Sequence, residues 1–285
     1  MPELPEVETI RRGLARHLIG QTIARVSVDH PRVIRSCPQG LDSLVGRRIT
    51  QVARRGKYLW FVIGRDEALI AHLGMSGQFR VDAAQHRHRR AALWLDNGVR
   101  VDFIDQRTFG QLRLDRLCPT QDGYAGGCGT DYALIPESIA HIGRDLLDPY
   151  LQYPDIITQV RAKSTEIKRL LLDQQLASGI GNIYADEALF AAQIHPQMLS
   201  SQMSPQQIAQ LYAAAREVMQ DAVEVGGTSF DSLYVNVNGE SGYFSRTLQV
   251  YGRHGLACYR CGAQIVRQTF MNRGSHFCPN CQHLP

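Results

Sequence analysis

The sequence predicts an α+β protein: an antiparallel β-sandwich with flanking helices, then a helical half that closes in a metal-pinned β-hairpin. Three observations carry that prediction. Between about residues 21 and 116, apolar residues recur with a period near two, in short runs separated by turn residues. Beyond about residue 150 the period lengthens to that of helices. The C-terminal end then holds Cys258-x-x-Cys261 and Cys278-x-x-Cys281.

Residues 5–18 read as the first helix. Pro5 suits the first helical position, Glu6 and Glu8 complement the N-terminal dipole, and Val7, Ile10, Leu14 and Leu18 form one apolar stripe. Candidate strands follow at Ile23–Val28, Ile49–Arg54, Tyr58–Ile63, Leu69–Leu73, Ala92–Leu95, Val99–Phe103 and Gln111–Leu114. Asp96-Asn97-Gly98 reads as a hairpin turn between two of them. Many short strands with tight turns suggest a two-layer antiparallel sandwich. Residues 118–134 break the pattern with Pro119, Gly123, Gly126, Gly127 and Gly129, which is loop chemistry, and a linker is expected between there and about residue 150.

In the second half, 164–173 reads as an amphipathic helix. Gly179 and Gly181 break it, and Asn182 is expected to cap a second helix that ends before His195-Pro196. Ser204-Pro205-Gln206-Gln207 is a capping box, with Ile208, Leu211 and Val218 on one face before Gly226-Gly227 ends the helix. Ile265–Phe270 reads as a strand, 271–275 as a turn with Arg273 at its tip, and His276-Phe277 as the return. The expected division is 1–134, 135–248 and 249–285.

At 285 residues the chain is long enough for two domains with real cores. No apolar run approaches the roughly 18 residues a bilayer requires. The N-terminus carries acids where a signal peptide has basic residues, so a cytoplasmic protein with no membrane partner is expected. A net charge of +4 permits nucleic-acid binding without demanding it, and His86, Arg87, His88, Arg89 and Arg90 form a local basic run. Four of seven cysteines make the metal pattern; the remaining Cys37, Cys118 and Cys128 are an odd set that suits a reducing compartment.

The cysteine spacing matches a structural zinc site. Four thiolates would complete a tetrahedral shell, so the metal folds the segment and does no chemistry. At the other end, removal of Met1 would leave a secondary amine on Pro2 with the carboxylate of Glu3 beside it. An α-amino group titrates at about 7.7–8.0, so part of it is neutral and nucleophilic near pH 7. Such an amine can form an imine with an electrophilic carbon while a carboxylic acid moves a proton. Two helices joined by a glycine-bearing turn also offer backbone N–H groups to a phosphate.

The opening run Pro2–Thr9, followed by Arg11-Arg12-Gly13-Leu14, closely resembles the start of bacterial formamidopyrimidine-DNA glycosylases, the Fpg/MutM family. Gly179-Ile180-Gly181-Asn182-Ile183-Tyr184, over 150 residues further on, resembles that family's helix–two-turn–helix. The resemblance spans the chain apart from parts of 30–50 and 118–160. It implies a bifunctional glycosylase/AP lyase that excises 8-oxoguanine and formamidopyrimidines from duplex DNA as a monomer. Its one metal would be a structural zinc on Cys258, Cys261, Cys278 and Cys281.

By the same resemblance Pro2 is the nucleophile, Glu3 the acid, and Lys57 a phosphate-binding residue also described as an acid for elimination. Arg273 grips the phosphates of the damaged nucleotide, and His88, Lys163 and Asn182 contact the DNA backbone. Met75, Arg107 and Phe109 fill the void left by the flipped base. The chain departs from the pattern in places. Thr108 stands where an arginine is common, Arg90 where a second histidine is common, and Asp231 where some members carry lysine before the Asn236–Tyr243 loop; residues 118–134 look longer than usual. Two other readings are weighed: a sister enzyme for oxidised pyrimidines, and a non-catalytic zinc-ribbon nucleic-acid binder.

Overall fold

In the computed structural model, the described residues are 2–35, 40–84, 86–228, 237–239, 244 and 247–284. Met1, Cys37, Asp231 and most of Asn236–Tyr243 lie outside them. The chain divides into two compact units, Met1–His141 with Gly226–Tyr243, and Ile142–Val225 with Phe244–Pro285.

The first unit opens with α1 (Leu4–Leu18), whose stripe of Val7, Ile10, Leu14 and Leu18 is fully buried. Its strands are β1 (Ile23–Val28), β2 (Ile34–Arg35), β3 (Ile49–Arg55), β4 (Tyr58–Ile63), β5 (Glu67–His72), β6 (Gly77–Val81), β7 (Arg89–Leu95), β8 (Arg100–Asp105), β9 (Gln111–Pro119) and β10 (Leu134–Pro136). One antiparallel sheet runs β1-β7-β8-β6; the other runs β10-β9-β5-β4-β3, with β2 added parallel to β9. Alternate residues of both sheets, among them Phe79, Leu93, Phe103, Val52, Phe61 and Leu69, share one core with the α1 stripe. The expected sandwich is therefore present, and α1 packs on β3, β4 and β6.

Three strands go beyond the sequence reading. β6 opens on a glycine and β2 has only two residues, so neither shows a period. β9 continues through Cys118-Pro119, residues expected in the loop, and pairs with β10. The remaining loop is not free: the backbone groups of Cys128 and Arg54 exchange two hydrogen bonds of 2.9 Å. Asp96-Asn97-Gly98 is the expected turn, closed by the Leu95 N–H on the Val99 carbonyl at 2.9 Å. Residues 226–228 and 237–239 belong to this unit, where Val237 is buried in the core and its carbonyl accepts from the Val81 N–H at 3.0 Å.

The second unit holds α2 (Tyr153–Arg161), α3 (Ile167–Leu171), α4 (Asn182–Ala191), α5 (Pro205–Glu224) and the hairpin β11 (Val266–Phe270) and β12 (Arg273–Phe277). α5 starts at the expected capping box, with the Ser204 side chain accepting from the Gln207 N–H. Its buried face uses Met219 where Val218 was expected; Val218 is only half-buried. The amphipathic 164–173 segment contracts to the five residues of α3. Asn182 does not cap α4: Gly181 holds the cap position, and Asn182 is the first helical residue. Among the described residues no helix is long and apolar enough to cross a membrane.

Candidate active site and nucleic-acid interface

The first unit carries the expected nucleophile. Pro2 is buried and Glu3 is the N-cap of α1, its N–H donating to Glu6 Oε2 at 2.8 Å. Glu6 does more than complement the dipole: its Oε1 accepts from the Thr228 N–H at 2.7 Å and hydroxyl at 2.8 Å. The start of α1 is thereby tied to residues 226–228.

Glu8 has a different task from the dipole role expected of it. Its buried carboxylate accepts from Arg11, Arg12 and Arg54, each at 2.9 Å. Arg54 is itself fully buried, and its Nη1 donates to the Gly56 carbonyl at 3.2 Å. Gly56 and Lys57 form the two-residue turn between β3 and β4, with Gly56 at φ 55° in the left-handed region that the first position of such a turn favours. One ion pair thus links the helix that carries Pro2 and Glu3 to the turn that carries Lys57. Burial alone would raise the Glu8 carboxyl, but the Arg11 hydrogen bond and the Arg54 charge outweigh it and hold the pKa at about 2.

A folded pKa below the unfolded one means that Glu8 contributes its stability above about pH 4.5 and loses it as the pH falls toward about 2. Glu8→Gln removes the carboxylate that the fully buried Arg54 guanidinium meets at 2.9 Å. It is expected to cost about 3–5 kcal/mol at pH 7 and to flatten the acid limb of stability, as read by urea unfolding across that window. A wild-type urea midpoint in the variant would show that another contact holds α1 to β3.

Lys57 is mostly buried and stands close enough to His72 to affect its titration. Burial first, then the Lys57 charge, pushes His72 down to about 4, and its Nδ1 accepts from the Gly74 N–H at 3.2 Å as a neutral ring does. His88 is also lowered, by desolvation and by the flanking Arg87 and Arg90 charges. Met75, Arg107 and Phe109 come together at the surface. Met75 is 40% and Phe109 49% exposed, and the Arg107 guanidinium meets Met75 Sδ at 3.8 Å and lies 4.9 Å over the Phe109 ring.

The second unit brings Asn182 and the Arg273 hairpin together. Asn182 Nδ2 donates to the Gly274 carbonyl at 2.8 Å. One helical turn on, the buried Asp186 accepts from Lys168 Nζ at 2.6 Å, from Ser275 Oγ at 3.0 Å and from the His276 N–H at 2.8 Å. β12 is therefore bolted to α4 along its length. The turn is tighter than expected: Met271 and Asn272, at φ 45° and 60°, make it alone, and Arg273 is the first residue of β12, exposed, paired with Phe270. Lys163 instead forms a surface ion pair with Asp173 at 3.1 Å.

The Sγ atoms of Cys258, Cys261, Cys278 and Cys281 lie within 4.8 Å of one another. Tetrahedral zinc with bonds of about 2.3 Å sets its sulfurs roughly 3.8 Å apart, so the residues fit the metal. Desolvation, followed by the neighbouring thiols, pushes Cys281 up to about 12, whereas the Ala263 N–H first and the Asn280 side chain next lower Cys261 to about 6. A divalent cation is what makes four thiolates compatible at this spacing. Gln282 ties the site to the helices, accepting from the Cys278 N–H at 3.0 Å and donating to the Ile194 carbonyl at 2.9 Å.

Sequence reasoning alone misses Arg54 and Asp186, and gives Glu8 only a helix-dipole role. Its available clue was position: Glu8 shares α1 with an apolar stripe, and Asp186-Glu187 interrupt a helix that is apolar on every other side.

Three family models match the chain. They are the formamidopyrimidine-DNA glycosylase N-terminal domain over residues 1–112, the formamidopyrimidine-DNA glycosylase H2TH domain over 142–233, and a zinc finger found in FPG and IleRS over 255–284. Formamidopyrimidine-DNA glycosylase of Mycolicibacterium smegmatis is 51% identical over 290 residues, covering 100% of this chain and 98% of that protein. The Nocardioides enzyme of the same name is 51% identical over 295 residues, covering 100% and 95%. Among solved structures, MutM (Fpg) from Thermus thermophilus superimposes with a TM-score of 0.84 at 37% identity, over 99% of this chain and 98% of that one. A Lactococcus lactis Fpg variant bound to DNA containing Fapy-dG gives 0.85 at 33% identity, over 99% and 100%. The wild-type L. lactis protein bound to DNA containing an oxidised pyrimidine gives 0.83 at 33% identity, over 99% and 100%.

Proposed function

The chain belongs to the formamidopyrimidine-DNA glycosylase family, and from that premise we propose that Pro2 and Glu3 carry its chemistry on oxidised purines. The enzyme is a DNA-repair glycosylase with the lyase activity of that family, it acts on double-stranded DNA, and it carries one structural zinc. The neutral Pro2 amine attacks C1′ of an extruded nucleoside. The base departs with the glycosidic electron pair, Glu3 moving a proton to help open the sugar, and an iminium joins Pro2 to the sugar. Loss of a proton from C2′ expels the 3′ phosphate, and a second elimination expels the 5′ phosphate.

In this reading Lys57 and Arg273 hold the phosphates of the reacting nucleotide, while His88, Lys163 and Asn182 hold flanking ones. Met75, Arg107 and Phe109 occupy the space the base leaves. Residues 1–134 supply the chemistry, 135–248 the helical clamp, and 249–285 the zinc-held arginine. We assign the protein to the cytoplasm, associated with the nucleoid through its DNA substrate; thiolates as metal ligands support a reducing compartment. The observation that carries the reading is the Glu8–Arg54–Gly56 link, which ties the start of α1 to the Lys57 turn in one unit.

Borohydride reduces an imine to a stable amine, so a duplex containing 8-oxoguanine is expected to give a covalent adduct whose modified peptide begins at Pro2. Retained Met1 makes that nitrogen an amide and suppresses the adduct. An adduct on Lys57 reverses the roles; none on any oxidised base or abasic site leaves a DNA-binding protein without this chemistry. An oxidised pyrimidine in the same trap tests the second reading, favoured by the pyrimidine lesion bound to the L. lactis relative.

A further inference from the structure

We infer that Asp105 is a positioning residue that locks the Met75 turn and the Arg107–Phe109 turn into one rigid wedge. The inference rests on the reading of those three side chains as the ones that enter the duplex. Pairing of Gly77 with Asp105 brings the two turns side by side at one end of the β6–β8 ladder. Between them Asp105 is fully buried. Its Oδ1 accepts from the Ser76 hydroxyl at 2.5 Å and from the Arg107 N–H at 3.1 Å, and its Oδ2 accepts from the Gly110 N–H at 2.6 Å. One carboxylate therefore grips the residue after Met75, Arg107 itself and the residue after Phe109.

Two further observations show that this region is held rather than relaxed. Thr108 lies at φ 55°, a left-handed conformation that a β-branched residue adopts only under constraint, and it lies within the span the carboxylate closes. A Cβ on Gly74 would come within 2.6 Å of the Phe109 carbonyl carbon, so the turns meet backbone to backbone. From the other side Arg90, the departure noted within the basic run, donates to the Asp105 carbonyl at 2.7 Å and the Gln106 carbonyl at 3.3 Å.

The physical consequence concerns entropy. Loose side chains entering a base stack lose their freedom at that moment, whereas a wedge ordered during folding has already lost it. Asp105 reaches no solvent, so it acts only through the turns it holds.

The test compares single-turnover release of 8-oxoguanine from a duplex with strand cleavage at a preformed abasic site, which has no base to extrude. Asp105→Asn sets an amide donor against one of the N–H groups, and Ser76→Ala removes one leg of the clamp. Asp105→Asn is expected to slow base release about tenfold or more, with abasic cleavage within about threefold. Ser76→Ala should shift the same ratio in the same direction, and it reads the clamp even if Asp105→Asn folds poorly. Arg107→Ala is the reference for a missing wedge. If Arg107→Ala slows both substrates equally, it marks a phosphate contact and the wedge reading fails. If Arg107→Ala is selective while Asp105→Asn and Ser76→Ala slow both substrates equally or neither, the wedge stands and the positioning role of Asp105 is overturned.

Discussion

Stripping the zinc with a chelator, or replacing Cys278 with serine, is expected to weaken binding to damaged duplex by about a hundredfold or more while leaving the β-sandwich folded. A two-stranded hairpin is at best marginally stable in water. β11 and β12 have five residues each, and the core cluster beside the metal site is small: Phe190, Val250, Ile265 and the buried sulfurs of Cys258 and Cys278, with Ala263 and Cys281 packed against it. Structural zinc supplies roughly 10–16 kcal/mol of apparent binding free energy to such a segment, and that energy is its folding energy. Without it the register that presents Arg273 is lost, and with it charge-assisted phosphate bonds worth about 1.5–3 kcal/mol each. The sandwich has its own core and shares no ligand with the metal. Anisotropy with a labelled duplex and far-UV circular dichroism separate the two effects. Metal-free protein that binds and cuts normally would show that zinc is dispensable.

Glu3→Gln is expected to slow release of 8-oxoguanine by about 10²–10⁴-fold, the usual worth of a positioned proton-transfer group. Affinity for an uncleavable abasic analogue should stay within a few-fold. The substitution changes a side chain whose backbone is held independently: the Glu3 N–H donates to Glu6, which is itself held by Thr228. Retention of α1 is therefore expected, and the thermal unfolding midpoint checks it. Equal losses in binding and in rate would assign Glu3 to the architecture of the site rather than to proton transfer.

Much of the fold was legible because its determinants are local. The limits of β1 and β4 match the sequence reading residue for residue, and α1 differs by one residue at its start. Alternation and a 3.6-residue stripe need no partner to be seen. The capping box at Ser204 and the cysteine spacing are local in the same way. Elements were missed where the local pattern is weak. β6 begins with glycine, β10 has three residues inside what read as linker, and α2 is short. At Asn182 the cap falls one residue earlier, on Gly181: glycine and asparagine both suit that position, and the Asn182 side chain instead donates to the Gly274 carbonyl.

By itself the sequence determined the sandwich-then-helices order, the metal site and the terminal Pro2-Glu3 pair, since each is written in spacing or position along the chain. Tertiary structure alone decided which charged residues are buried and what they hold. Glu8 meets Arg54 across 46 residues, Asp105 meets Ser76 across 29, and Asp186 meets Ser275 across 89. A carboxylate's charge is visible in the sequence, but its burial is tolerable only with donors in place. Those donors arrive from strands and turns that become neighbours only when the sheets pair and the hairpin docks.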